Sequence, residues 1–315
     1  MGDDASVSVR SWTASDGPWR AREFLRAAFL ASGRRAHVWH VGRFDYLRAH
    51  VLPNVTGGRL EDLVLALEVG GDLRALAIAD GAPGEVHLAV HPAGRTMALE
   101  EALLDAAERR LARVGDDGGR MLAVWAAADD ELRRGLLRAR GYAPHGSVER
   151  VARCDLTAEV VAAPCPGGYQ VRSLGDGLEL LERCYASGLA FHEGDLEVAA
   201  ENRDDPAWYR GIQRAPLYRR DLDLVAVAPD GAIGAFATTW FDDVTRSVLF
   251  EPVATVPAHR RRGLGRALLT EGLRRAREVG ADLALVGGYG EGANALYRAA
   301  FGDDHELVEA WVRRW

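Results

Sequence analysis

One short segment of this chain occurs twice, and that repetition constrains the fold more than any other feature. Val90-His91-Pro92-Ala93-Gly94-Arg95 lies over Thr255-Val256-Pro257-Ala258-His259-Arg260. The offset is 257 − 92 = 165, and again 260 − 95 = 165. Each copy follows an apolar strand pattern and opens a helical one. A spacing this long points to two copies of one domain in tandem. Ala163-Pro164-Cys165-Pro166-Gly167-Gly168 is the natural linker, since its prolines stop regular structure and its glycines permit a turn. The expected domains are residues 1–160 and 161–315. A chain of 315 residues is long enough to give each half its own core.

The second copy continues into Arg260-Arg261-Arg262-Gly263-Leu264-Gly265-Arg266, an R-x-x-G-x-G segment between a strand and an amphipathic helix. Unpaired backbone N–H groups and the helix dipole make such a helix start a good phosphate site. Gly263 and Gly265 are expected to let a pyrophosphate approach the backbone, with the arginines adding charge at the rim. The first copy differs. Ala98 stands where Gly263 stands in the second, and Glu100 where Gly265 stands, so bulk and a carboxylate oppose a phosphate there.

The R-x-x-G-x-G segment, with Pro257 before it and a helix after it, resembles motif A of the GNAT superfamily of N-acetyltransferases. That resemblance implies an α/β (α+β) architecture of two tandem GNAT folds. Each would be a mixed, mainly antiparallel sheet flanked by helices, the first a degenerate GNAT-like domain and the second the acetyl-CoA-binding catalytic one. It also implies acetyl-CoA as co-substrate, no metal, and the loop as the pyrophosphate holder. Ala254, Thr255 and Val256 would face the pantetheine arm where the fourth and fifth strands splay. Gly290-Glu291-Gly292-Ala293-Asn294-Ala295-Leu296-Tyr297 looks like the family's N-x-L-Y run. Tyr297 is then the expected general acid for the leaving thiolate, and Asn294 belongs to the cofactor-binding set. The family usually has Gly-Phe soon after this tyrosine. Here the order is Phe301-Gly302, which puts its placement in question. The first half has Leu137 at the corresponding position and cannot donate a proton there.

Acetyl transfer to an amine also needs a proton acceptor. Strand alternation over Val248–Thr255 places Leu249, Glu251, Val253 and Thr255 on one face, and Glu251 is the candidate base, with a structural ion pair as the other reading. Pro252 cannot donate to a ladder, so a bulge or an edge is expected there. The acceptor pocket is expected around Phe191-His192-Glu193-Gly194-Asp195, Trp208-Tyr209 and Trp240-Phe241-Asp242-Asp243, aromatic and acidic as a cationic amine requires.

Composition narrows the partners. The formal charge is −7, which argues against nucleic acid and anionic membranes. All 39 basic residues besides histidine are arginine, as expected of a base-composition bias of bacterial type. No apolar run approaches the roughly 18 residues of a membrane span. Cys154, Cys165 and Cys184 have neither metal-ligand nor disulfide spacing and are expected as free thiols in a reducing cytoplasm. No secretory signal is read at the N-terminus. Met1-Gly2-Asp3-Asp4-Ala5-Ser6 fits a myristoylation pattern formally and is read as an accident. The expectation is a cytoplasmic N-acetyltransferase acting on a primary amine of a small molecule by direct attack in a ternary complex. It would be a monomer whose N-terminal half packs as a pseudo-dimer partner. A mycothiol-synthase-like enzyme, a protein acetyltransferase and a non-catalytic acyl-CoA sensor or scaffold stand as alternatives.

Overall fold

The computed structural model describes residues 7–315. The myristoylation-like pattern falls on residues 1–6, outside the described residues. The chain forms two compact units, residues 1–150 with 306–315, and residues 151–305.

The first unit opens with β1 (Val7–Ser11) and α1 (Gly17–Ala31), whose first turn holds Pro18 as the sequence suggests. Next come α2 (Val41–Tyr46), a π-helical stretch over Leu47–Thr56, and α3 (Leu60–Leu63). β2 (Val64–Val69), β3 (Asp72–Ala79) and β4 (Glu85–Val90) form an antiparallel meander with β1 at its edge. α4 (Met97–Arg110) follows, and the short β5 (Arg113–Val114) lies against β6 (Arg120–Ala127). β6 runs parallel to β4, and α5 (Glu131–Ala139) comes after it. β7 (Ala143–Asp155) then leads into the second unit.

The second unit repeats this plan. β8 (Gln170–Ser173) is followed by α6 (Leu178–Phe191), α7 (Leu196–Asp204) and α8 (Ala207–Gln213). β9 (Leu224–Val227), β10 (Ile233–Asp242) and β11 (Ser247–Thr255) form its antiparallel meander. α9 (Leu264–Glu278), β12 (Leu283–Gly288) and α10 (Glu291–Phe301) complete it, with β12 parallel to β11. Leu264, Leu268, Leu269, Leu273 and Ala276 recur at helical spacing on α9 and form the buried stripe over the sheet.

The last strand, β13 (His305–Arg314), pairs antiparallel with β6 from Val308↔Ala127 to Arg314↔Met121. Residues 306–315 therefore belong to the first unit and 151–155 to the second, where Leu156 N–H donates to Asp282 O at 3.0 Å. This differs from the division at residue 160. A linker is legible from proline and glycine, whereas the sheet a strand joins depends on distant partners.

Other differences are local. α4 ends at Arg110, because Arg113 and Val114 pair with Met121 and Arg120. The polar stretch after Phe191 contains α7 and α8. Asp195 caps α7 by accepting from Glu197 N–H and Val198 N–H at 2.9 and 3.2 Å. Among the described residues no helix is long and apolar enough to cross a membrane. All three cysteines are free thiols.

Candidate functional site

A cavity of ≈ 580 Å³ opens at the N-terminus of α9. Its walls come from the end of β11, the arginine-glycine loop, the start of α9, the first turns of α10 and the end of α6. Of the residues singled out in the sequence, Ala254, Thr255, Arg260, Arg261, Gly263, Leu264, Gly265, Arg266 and Tyr297 line it, and Phe191 joins them. Val256, Arg262, Asn294 and Glu251 do not.

The loop conformation explains the helix start. Arg261 and Gly263 both have left-handed backbone, φ 64° and φ 85°. Gly263 is the N-cap of α9, and no side chain caps that end. The N–H groups of Leu264, Gly265 and Arg266 thus have no acceptor within the helix, at a point where the dipole favours negative charge. Arg260 is held at the rim, donating to Thr255 O and Glu193 at 3.2 and 3.1 Å. Arg262 turns away to Tyr169 Oη and Ala258 O, both at 3.2 Å.

The two glycines meet different surroundings. Gly263 is needed for its positive φ, and a Cβ there meets nothing closer than Pro166 at 3.7 Å. Gly265 is buried, and a Cβ on it would lie 2.8 Å from Leu296 Cδ2. Gly265 therefore lets α10 approach α9 and so places the neighbour of Leu296, Tyr297. That closeness is between helices.

Tyr297 is 7% exposed and sits in the apolar cluster with Phe301 while also lining the cavity. Gly288 on β12 makes room for its ring, since a Cβ there would lie 2.8 Å from Cε2. Phe301 packs edge-on against Phe250 at 5.4 Å, and Gly302 ends the helix at φ 94°. Asn294 stays behind the wall, its Oδ1 buried without a hydrogen-bond partner and close to Gly288.

The β10–β11 register shifts where Pro252 suggested. Ala237 faces Val253 but Thr239 faces Phe250, so Thr238 alone is opposed by Glu251 and Pro252. This bulge breaks the alternation assumed from sequence. Val253 and Thr255 share a face with Phe250 and Val248, and Leu249 lies on the other. Glu251 is half-buried on the bulge, with its carbonyl accepting from Trp240 Nε1 at 2.6 Å.

Several of the expected acceptor residues are structural. Tyr209 and Trp240 are fully buried. Asp242 accepts from the Thr245 backbone and hydroxyl at 3.1 and 2.8 Å. Tyr209 and Tyr218 donate to buried Asp223 at 2.7 and 2.8 Å. Burial pushes the Asp223 carboxyl up, against the charge of Arg183 and these hydrogen bonds. Arg183, itself fully buried, lies 3.5 Å over Phe236 and 4.6 Å from Tyr209. Its signal in the sequence was its place on the apolar stripe of α6, with Leu180, Cys184 and Ser187. The sequence reading also missed His259, which lines the cavity, shares a 2.8 Å hydrogen bond with Tyr169, and packs where Gly234 lacks a Cβ.

The equivalent helix start in the first unit is closed by its own side chains. Thr96 caps α4 by accepting from Leu99 N–H at 3.3 Å. Glu100 is fully buried, accepting from Arg95 at 2.5 Å and from Arg133 at 2.9 and 3.0 Å. Arg95 also donates to Asp130 at 2.7 Å.

Residues 182–302 match the model of the acetyltransferase (GNAT) family. No curated protein matches the sequence. Among solved structures, the chain is similar to a GCN5-related N-acetyltransferase from Sphaerobacter thermophilus, at 20% identity, covering 98% of this chain and 95% of that one, with a TM-score of 0.63. It is similar also to a tandem GNAT protein from the clavulanic acid biosynthesis pathway, at 16% identity, 98% of each chain and a TM-score of 0.67. N-myristoyltransferase of Saccharomyces cerevisiae, with bound myristoyl-CoA, aligns at 14% identity over 99% of this chain and 83% of that one, TM-score 0.54. The family matched over residues 182–302 is one of acetyltransferases, and the likenesses over the whole chain are likenesses of fold. The whole chain shares the fold of a tandem GNAT protein, and the match to the GNAT family model lies in its second half.

Proposed function

We propose that this protein transfers an acetyl group from acetyl-CoA to a primary amine of a small molecule, using the second unit alone. The observation that carries this reading is the uncapped start of α9, with Arg260, Arg261 and Arg266 around it, opening into the cavity that Tyr297 lines. The residues fit the co-substrate. Unpaired helix N–H groups and arginines suit a pyrophosphate, and Val253–Thr255 offer a strand edge beside the cavity. When bound, acetyl-CoA supplies a thioester whose C–S bond is exchanged for a C–N bond to the amine.

The chain's own groups handle charge and protons. The α9 start and the arginines bind and orient the phosphates. Tyr297 holds a phenolic proton at the cavity wall, available to a leaving sulfur, since phenols stay protonated near neutral pH. Apolar Phe191, Leu296 and Val253 exclude water. For the amine proton we retain Glu251, half-buried on the bulge and two residues before the cavity-lining strand end. Among the three cysteines, burial pushes the Cys184 thiol up to about 12 and the Cys154 thiol up to about 11, so neither is an activated nucleophile. Direct attack is accordingly preferred to a covalent enzyme intermediate.

Calorimetric titration with acetyl-CoA, followed by assay of thiol release over a panel of small amines, tests this. One acetyl-CoA per chain and amine-dependent release of CoA are expected. Two equivalent sites would refute the one-site reading. Saturable binding without turnover of any amine would leave a binding module instead of an enzyme.

A further inference from the structure

We propose that Asp80, Glu85 and His87 of the first unit form a binding site for a divalent transition-metal cation. The three belong to one hairpin, Asp80 just after β3 and Glu85 and His87 on β4. Asp80 N–H donates to Glu85 O at 3.1 Å, which closes the turn and brings the side chains together. One ligand atom from each lies within 4.8 Å of the others. A small adjustment brings atoms so spaced onto one ion with bonds of about 2.0–2.2 Å.

Acidic groups near one another are common, and the argument rests on the histidine. His87 is 7% exposed, and its Nε2 is buried without a hydrogen-bond partner. A buried polar atom left this way is costly. The ring is fixed between Trp125, stacked at 5.7 Å, and Trp39 at 4.8 Å.

The surroundings favour a cation of charge two. Trp125 Nε1 donates to Glu85 Oε1 at 2.7 Å, and Arg43 to Asp80 Oδ2 at 3.1 Å, so each carboxylate is oriented and keeps its second oxygen. Arg43 also donates to both oxygens of Glu149 at 3.3 Å. Three carboxylates against one guanidinium leave two negative charges. Arg133 does not alter this, because Arg95 and Arg133 are balanced by Glu100 and Asp130. Glu85 is exposed and Asp80 partly so, which leaves a route for an ion. One imidazole nitrogen with two carboxylate oxygens suits Zn²⁺ or a similar first-row cation better than Mg²⁺.

The test is Zn²⁺ titration of the metal-stripped full-length protein in competition with a chromophoric chelator, with Mg²⁺ in parallel. One Zn²⁺ per chain is expected, unaffected by equimolar Mg²⁺. Asp80→Asn and Glu85→Gln, nearly isosteric and at the surface, should each weaken Zn²⁺ at least about tenfold. Their circular dichroism and acetyl-CoA titration should be unchanged. His87→Phe keeps the aromatic stack and should remove the site. No Zn²⁺ binding by the parent, or parental affinity in all three variants, would overturn the proposal.

Discussion

Substituting alanine at Gly265 and at Gly263 separately tests whether the arginine-glycine loop is built as described. At 265 the new Cβ would lie 2.8 Å from Leu296 Cδ2 and 3.3 Å from Cδ1. Comfortable carbon–carbon contact is about 3.5–4.0 Å, so Leu296 must move by roughly 1 Å. Overpacking of this kind costs about 1–3 kcal/mol, and the better helix propensity of alanine returns up to about 1 kcal/mol. A net loss near 1 kcal/mol is expected in urea unfolding, with m unchanged. Tyr297 follows Leu296, and a misplacement of about 1 Å at a reacting group can cost on the order of a hundredfold. Gly265→Ala should therefore lower kcat strongly and CoA affinity little. Gly263→Ala meets no clash, but left-handed backbone costs an L-residue about 1–2 kcal/mol. Its relaxation would tilt the free N–H groups, so CoA affinity should fall first, read by calorimetry. Parental stability in Gly265→Ala together with lost CoA affinity would refute this and return the glycine to the phosphate.

Three further outcomes follow from single contacts. Tyr297→Phe keeps the packed ring and removes the proton, and kcat should fall about ten- to a hundredfold at unchanged acetyl-CoA affinity; full activity would point to water as the proton source. Arg22 and Asp45 form a fully buried ion pair, so Arg22→Met should cost about 3–5 kcal/mol in urea unfolding, with Arg22→Met/Asp45→Leu recovering most of it. Burial alone would raise the Glu306 carboxyl, but hydrogen bonds from His37, Ala36 N–H and Arg35 hold it at about 2. A lowered carboxyl stabilises the fold above its unfolded value near 4.5 and loses that contribution as pH falls toward 2. Glu306→Gln should thus be about 2 kcal/mol less stable at neutral pH and should converge with the parent in acid denaturation.

The repeat and the loop were legible because both are local. Strand, loop and helix follow one another within residues 247–278, and the helical spacing of Leu264, Leu268 and Leu273 needs no distant partner. What escaped the sequence depends on tertiary contacts. The contact of Gly265 with Leu296 is not visible in the loop's own sequence. Glu251 reads as sharing a face with Leu249 until the bulge opposite Thr238 shifts the parity. Tyr209 and Trp240 read as a pocket, yet both are core. Asp80, Glu85 and His87 match no metal spacing, because a hairpin and two tryptophans, one at 39 and one at 125, bring them into register.

The two helix starts are built differently on one plan. An α-helix begins with donors that need partners. In the second unit α9 leaves them to the cavity, with no acidic residue in its first turn. In the first unit Thr96 caps the start of α4 by accepting from Leu99 N–H, and the Glu100 carboxylate holds α4 to α5 through Arg133, where α9 meets α10 through Gly265 and Leu296. Removing Glu100 alone would not reopen a phosphate site. It would leave Arg133, whose side chain is 4% exposed, as a buried charge without its main partner, at a cost of about 3–5 kcal/mol. The carboxylate at this helix start is thus the one that holds the helix pair together.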